Sequence, residues 1–194
     1  MSPNFESQSY WHDRFTTEES FEWLTDSATF IRILEPFLNR LGRSARLLHV
    51  GCGTSDLHNH FRKRGFHDVT NVDYEPLALK RAQELERSAF GDVTMKYAVA
   101  DATRLQLRER YDLVIDKSAA DAVACGAEDN VLRMAQGVKK HLAPGGCWIS
   151  LTYSSSRFDV EGLPFRPTPI ATIPVPKQRE TEPDIYHWCF LLSP

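Results

Sequence analysis

Apolar and polar positions along this chain alternate between two rhythms. Short apolar-rich runs, most of them stopped by glycine or an acid, occur at 45–50 (ARLLHV), 68–73 (DVTNVD), 93–100 (VTMKYAVA), 111–117 (YDLVIDK) and 147–153 (CWISLTY). Runs of this length read as strands, the least interrupted of them buried on both faces. The intervening stretches have helical spacing. Residues 56–65 (DLHNHFRKRG) predict a helix stopped by Gly65. Residues 75–90 (EPLALKRAQELERSAF) carry proline in the first turn and strong helix formers behind it. Residues 129–146 (DNVLRMAQGVKKHLAPGG) carry cations late, with Pro-Gly-Gly as the expected stop. Upstream, residues 18–41 place Phe30, Ile33, Leu34, Phe37, Leu38 and Leu41 on one helical face. Pro36 predicts a kink or a fresh turn there, and Gly42 an end. Residues 1–17 are polar with scattered aromatics and predict no definite element. Strands alternating with helices predict an α/β fold, a parallel sheet doubly wound with helices on both faces. After Tyr153 the chain turns rich in proline and charge, with one irregular strand expected around 171–175 and a clear one at 185–192 (IYHWCFLL). Two late strands with no helix between them predict an antiparallel hairpin.

Length and composition narrow the class. The 194 residues suit one domain, divided on this reading into a helical cap or lid (1–42), a core (45–153) and a loop with the C-terminal hairpin (154–194). Hydrophobic residues make up 42% and charged residues 25%, enough for a sizeable core. A formal net charge of -3 without a long basic run gives no electrostatic footprint for nucleic acid. The N-terminus has no apolar signal core, and no apolar run approaches the ~18 residues of a membrane span. The cysteines, 52, 125, 147 and 189, form no C-x-x-C pair, so a reducing, cytoplasmic setting is expected. His58 and His60 point apart on a helix, so no metal site is expected.

The candidate chemistry gathers at the strand ends. LLHVGCGTSDL (47–57) runs a strand straight into Gly51 and Gly53, which let a ligand lie against bare backbone. In open α/β sheets, ligands bind beyond the carboxyl ends of the strands. Asp73 ends the next strand, 73 − 51 = 22 residues after Gly51, where dinucleotide folds place the carboxylate that takes ribose hydroxyls. The third glycine of G-x-G-x-x-G is absent, and Asp56 stands near the helix start that would hold a pyrophosphate. Two like charges there repel. A ligand with a ribose and no phosphate fits better, and S-adenosylmethionine is such a ligand. Asp101, with Ala102 beside it, is placed to accept from the adenine amino group. Asp116 ends the fourth strand beside the position expected for the methyl.

These motifs in order, HVGCGTSD, NVDYEP, VADATRL, YDLVIDKS and LAPGG, resemble the class I S-adenosylmethionine-dependent methyltransferases over nearly the whole chain. The resemblance implies a Rossmann-like sheet of seven strands, mostly parallel, with the last strand antiparallel. YWHDRF, FEWL, GCGTSDL and VIDKSAADAV are similar to the group that includes the lysine methyltransferases of elongation factor 1-alpha. By that likeness Trp11 and Arg14 would close over the cofactor, Arg14 on its carboxylate. Gly51 and Gly53 would line its tail, Asp73 would hold its ribose, Asp101 its adenine end with Ala102 nearby, Asp116 and Lys117 would border its methyl, and Cys52 and Tyr74 would also be among the cofactor-binding residues. Thr54 stands where that group has Asn, and Ser118-Ala119-Ala120 where it has Gly-Thr-Leu. The expected activity is methyl transfer, with a protein lysine as leading acceptor and a small-molecule oxygen, nitrogen or sulfur as the alternative. A binding module on the same fold is a third reading. Asp116, Asp121 and Tyr153 are the candidates to assist proton removal.

Overall fold

The computed structural model describes residues 4–194. Seven strands form one sheet in the order β3-β2-β1-β4-β5-β7-β6: β1 (Leu47–Val50), β2 (Val69–Asp73), β3 (Lys96–Val99), β4 (Tyr111–Lys117), β5 (Leu142–Thr152), β6 (Arg166–Pro174) and β7 (Tyr186–Ser193). β7 lies between β5 and β6 and runs antiparallel to both. The central strands are in parallel register, Leu47 opposite Val69 on one side and Leu113 on the other. Every residue of β1 is buried, as an apolar strand covered on both faces must be.

Alternation along the strands feeds two cores. Leu47, Leu113, Ile115 and Ile149 pack against α2 (Ser27–Leu38) and α3 (Leu57–Lys63) through Phe30, Leu34, Leu57 and Phe61. Leu48, Val50, Val114 and Trp148 pack on the opposite face with α5 (Ala119–Val123) and α6 (Asn130–His141) through Ala120, Met134 and Val138. α4 (Pro76–Phe90) covers β2 and β3. No helix among the described residues is long and apolar enough to cross a membrane.

Four local features differ from the sequence pattern. Helix α1 (Gln8–Thr17) occupies the polar segment. Its only fully buried side chain is Phe15, so it has almost no apolar stripe to read. α2 starts at Ser27, where Asp26 accepts from the Thr29 amide at 2.7 Å, and continues through Pro36 to Leu38. Near the helix end the proline removes little hydrogen bonding, and Leu38 still packs in the core. Leu142–Gly146 belongs to β5 rather than to a helix stop. The register with β4 shifts between Tyr111 and Leu113, and a Cβ on Gly146 would stand 2.9 Å from the Tyr111 carbonyl oxygen. The glycines therefore serve a bulge. Finally, β6 begins at Arg166. It is an edge strand carrying Pro167, Pro169 and Pro174, which offer no N–H to another chain.

Candidate active site

The carboxyl ends of β1, β2 and β4 and the turn after β3 open into one cavity of about 650 Å³. At its floor the chain after β1 turns through Gly51 (φ 59°) and Gly53 (φ 51°), a left-handed path that glycine takes without penalty. A Cβ on Gly51 would meet the Ala119 Cβ at 2.5 Å, so bare backbone here is a steric need as well. Cys52 is buried between them, its thiol pushed well above its usual value by burial and by Asp73. It is a packing group, not a nucleophile.

Asp73 ends β2 at the cavity wall. Its Oδ2 accepts from the Gly53 amide at 2.9 Å and its Oδ1 from the Glu75 amide at 3.0 Å. Burial lifts its carboxyl to about 6, against those two donors. Each oxygen keeps a further lone pair. Tyr74, beside it, also lines the cavity, and burial raises its phenol. Asp101 and Ala102 stand at the β3 side. Asp101 caps a short 3₁₀ turn, with only Oδ1 engaged, by the Thr103 amide and hydroxyl at 2.8 Å each.

The roof comes from the N-terminal segment. Trp11 packs on Phe15 at 5.6 Å and on Trp23 at 5.8 Å between ring centroids, and its Nε1 donates to the Phe5 carbonyl at 2.8 Å. Phe5, Trp11, Phe15, Phe21, Trp23 and Leu24 all face the cavity. α1 is held on the β2–α4 turn by Gln8, which donates to the Tyr74 carbonyl at 2.8 Å, and by His12 against Glu75 at 3.0 Å.

Two expected site residues lie elsewhere. Asp116 is fully buried behind the cavity wall. Its Oδ1 accepts from the Ala120 amide at 3.1 Å and its Oδ2 from Trp148 Nε1 at 2.8 Å. Burial pushes its carboxyl up to about 7. It ties β4 to α5 and β5 and does not line the cavity, because alternation along β4 turns it into the core. Arg14 does not line the cavity either. Its Nε donates to Glu18 at 2.6 Å, and its guanidinium lies 4.8 Å from the Phe21 ring and 4.7 Å from Trp23. Its charge organises the aromatic roof. Lys117 does line the cavity, but its ammonium is bonded to Glu22 and to the carbonyls of Trp23 and Thr25.

On the α5 and β5 side, Asp121 and Tyr153 both reach the cavity. Asp121 accepts from Thr152 Oγ1, from Arg157 Nε at 2.9 Å and from the Tyr153 amide at 3.1 Å. Tyr153 is exposed at the mouth, with the Arg157 guanidinium 5.2 Å from its ring.

Sequence reasoning missed Glu18 and Glu22. Glu18 accepts from Thr54 Oγ1 at 2.7 Å, and Glu22 from Ser55 Oγ at 3.0 Å and the Asp56 amide at 3.0 Å. The signal for Glu22 is Lys117, since a lysine buried at a strand end requires a carboxylate partner.

Comparison with known proteins decides the family. A model described as "Methyltransferase domain" matches residues 48–150, more than half of the chain. The chain belongs to the class I methyltransferases. It is 55% identical to the Methyltransferase srdJ of Neurospora crassa, an alignment covering 99% of this chain and 85% of that protein. It is 29% identical to the EEF1A lysine methyltransferase 4 of Mus musculus over 78% of this chain, and spans 62% of that protein's length. Among solved structures, the N-methyltransferase NodS of Bradyrhizobium japonicum, in complex with S-adenosyl-L-homocysteine, superposes with a TM-score of 0.71 at 14% identity, covering 98% of this chain and 99% of that one. The family cofactor is S-adenosylmethionine. The site fits it: the Gly51 backbone is bare, the carboxylates of Asp73 and Asp101 keep lone pairs free for the hydroxyls and amine of such a ligand, and the Lys117 charge is already consumed by Glu22.

Proposed function

We propose that this methyltransferase acts on a nucleophilic oxygen, nitrogen or sulfur of a small, mainly apolar molecule. The observation that carries this is the roof: Phe5, Trp11, Phe21, Trp23 and Leu24 enclose the cavity from above, with Val123 and Tyr153 at its side. Such walls bind a flat apolar body and exclude water. The N-terminal segment through residue 42 acts on this reading as the lid.

When bound, S-adenosylmethionine supplies an electrophilic methyl on a good leaving group. The protein's task is then alignment, which is a positioning effect. Gly51, Cys52 and Gly53 seat the cofactor tail, Asp73 and Tyr74 the ribose, and Asp101 and Ala102 the adenine. Asp121 anchors the end of β5 and, by accepting from the Tyr153 amide and holding Arg157, fixes Tyr153. Tyr153, which lines the cavity at its mouth, is the residue that takes a hydrogen bond from the acceptor on this reading. Asp116 holds this wall from behind.

A protein lysine is the second reading, favoured by the likeness to EEF1A lysine methyltransferase 4 and by the Glu6 carboxylate on the cavity wall, which would attract an ammonium.

Calorimetric titration with S-adenosylhomocysteine tests the cofactor assignments. Asp73→Ala is expected to weaken binding by roughly a hundredfold, the loss of charge-assisted bonds to two hydroxyls. Wild-type affinity should fall as pH drops below about 6, where Asp73 takes up a proton, because the bound hydroxyls favour the carboxylate. Unchanged binding by the variant would overturn the Asp73 role. Transfer of labelled methyl to pooled phenols, amines and thiols, set beside purified elongation factor 1-alpha, separates the two acceptor readings. Label only in the protein would reverse their order.

A further inference from the structure

The loop of residues 18–26 crosses over the glycine turn and carries Phe21, Trp23 and Leu24 into the cavity. Its start is tied to that turn by Glu18, which accepts from Thr54 Oγ1 at 2.7 Å. Its middle is fixed by the ammonium of Lys117 at the end of β4, whose side chain is 2% exposed. Lys117 Nζ donates to the carbonyls of Trp23 and Thr25 at 3.1 Å each and to the Glu22 carboxylate. The residue between those two carbonyls, Leu24, has φ 65°, a left-handed conformation that a branched side chain adopts only when its surroundings impose it.

Glu22 extends the connection in the other direction. Its Oε1 accepts from Ser27 Oγ at 2.8 Å, at the start of α2, and from the Asp56 amide at 3.0 Å, before α3. Ser55 Oγ lies 3.0 Å from both carboxylate oxygens. One carboxylate thus joins the loop, the turn that seats the cofactor tail and the strand that faces the acceptor.

We propose that Glu22 and Lys117 form a latch that seats the 18–26 strap and positions its aromatic roof over the bound cofactor. The proposal rests on the cofactor reading above, and both residues are positioning residues. An anchor that served stability alone would be replaceable by apolar side chains, since a buried ion pair exchanged for well-packed apolar groups is often neutral. A positioning latch is not replaceable in this way, because neither apolar side chain can hold the two carbonyls beside Leu24 or the Asp56 amide.

The test uses the full chain, with S-adenosylhomocysteine as the probe. Glu22→Gln leaves Lys117 buried without its counter-charge and lowers the melting temperature. The apolar double variant Glu22→Leu, Lys117→Met restores melting toward wild type. Amide hydrogen exchange of residues 18–26 in the ligand-free double variant is nonetheless expected to quicken at least tenfold, and S-adenosylhomocysteine affinity to fall at least tenfold. The exchange readout is independent of any direct contact between Lys117 and the cofactor. Wild-type exchange in 18–26 by the double variant would overturn the latch while leaving the cofactor reading intact. Failure of the wild-type protein to bind S-adenosylhomocysteine would remove the cofactor reading and the latch with it.

Discussion

Gly51 and Gly53 bend the same turn through the left-handed region, yet their surroundings constrain them differently. At Gly53 an added Cβ would stand 3.9 Å from the Phe15 ring, an ordinary contact. The cost of Gly53→Ala is therefore conformational alone, about 1–2 kcal/mol. At Gly51 the same Cβ would lie 2.5 Å from the Ala119 Cβ, so α5 must also shift. Overpacking of that kind adds roughly 1–3 kcal/mol. Thermal melting should rank the two variants, with Gly51→Ala lower by several degrees, since about 1 kcal/mol moves Tm by roughly 2–4 °C at this chain length. Gly51→Ala should also lose S-adenosylhomocysteine binding, because the displaced α5 carries Asp121 and follows Ser118 on the cavity wall. Equal melting of the two variants would show that the turn is softer than its contacts imply. The pairing of glycines with acids at strand ends is legible in the bare sequence, because each feature depends only on chain direction and spacing. The burial of Asp116 is not. Its orientation follows from β4 register against Trp148, a partner thirty-two residues away.

At the scale of elements, the central strands are legible because both of their faces are buried and apolar runs have no other use in a chain of this composition. Legibility fails where an element is held by its neighbours instead of by its own pattern. α1 is one case, docked through Gln8 and His12 onto the β2–α4 turn. The start of β5 is another, where Pro-Gly-Gly reads as a helix stop until Tyr111 is placed beside it. The attachment of α4 to β3 shows the same dependence on distant partners. Glu86 on α4 is fully buried. Its Oε1 takes Arg62 Nη1 at 2.6 Å and the amides of Thr94 and Met95 at 3.0 and 3.3 Å, and its Oε2 takes the Tyr97 hydroxyl at 2.8 Å. These donors hold its carboxyl below the ordinary glutamate range despite its burial. Glu86→Ala removes one partner of a buried network and orphans the others, at a cost of about 3–5 kcal/mol. Urea unfolding should show that loss. Folded protein should keep wild-type affinity for S-adenosylhomocysteine, because none of these groups lines the cavity. A loss of stability under about 1 kcal/mol would mean that solvent reaches the network.

Across the whole molecule, burial of ionisable groups sets the pH response, and its contributions oppose one another. His49, buried in the sheet with Nδ1 3.3 Å from Asn71 Oδ1, is lowered to about 3 by burial. His58, buried between the sheet and α4, is lowered by burial too, and neither of its ring nitrogens has a hydrogen-bond partner. For both, the unfolded chain binds protons below about 6.5 that the folded chain refuses, so their contribution falls as pH drops below that value. For His49 the loss reaches about 2 kcal/mol at pH 5. Asp73 and Asp116, raised by burial to about 6 and about 7, act in the reverse sense. The folded chain holds their protons up to those values while the unfolded chain releases them near 4, so their contribution grows as pH falls through that window. Between pH 5 and 7 the two pairs oppose each other, which narrows the change of wild-type Tm with pH. Replacing one histidine breaks the balance. His58→Leu exchanges an unpaired buried imidazole for an apolar group of similar size, which is close to neutral at pH 8. Below about 6.5 the variant escapes the protonation penalty and keeps the opposing gain from the aspartates. Its Tm should therefore rise relative to wild type as pH falls from 7 to 5. Parallel melting curves over that range would mean that His58 accepts its proton in the folded state, and that α3 opens far enough to hydrate it.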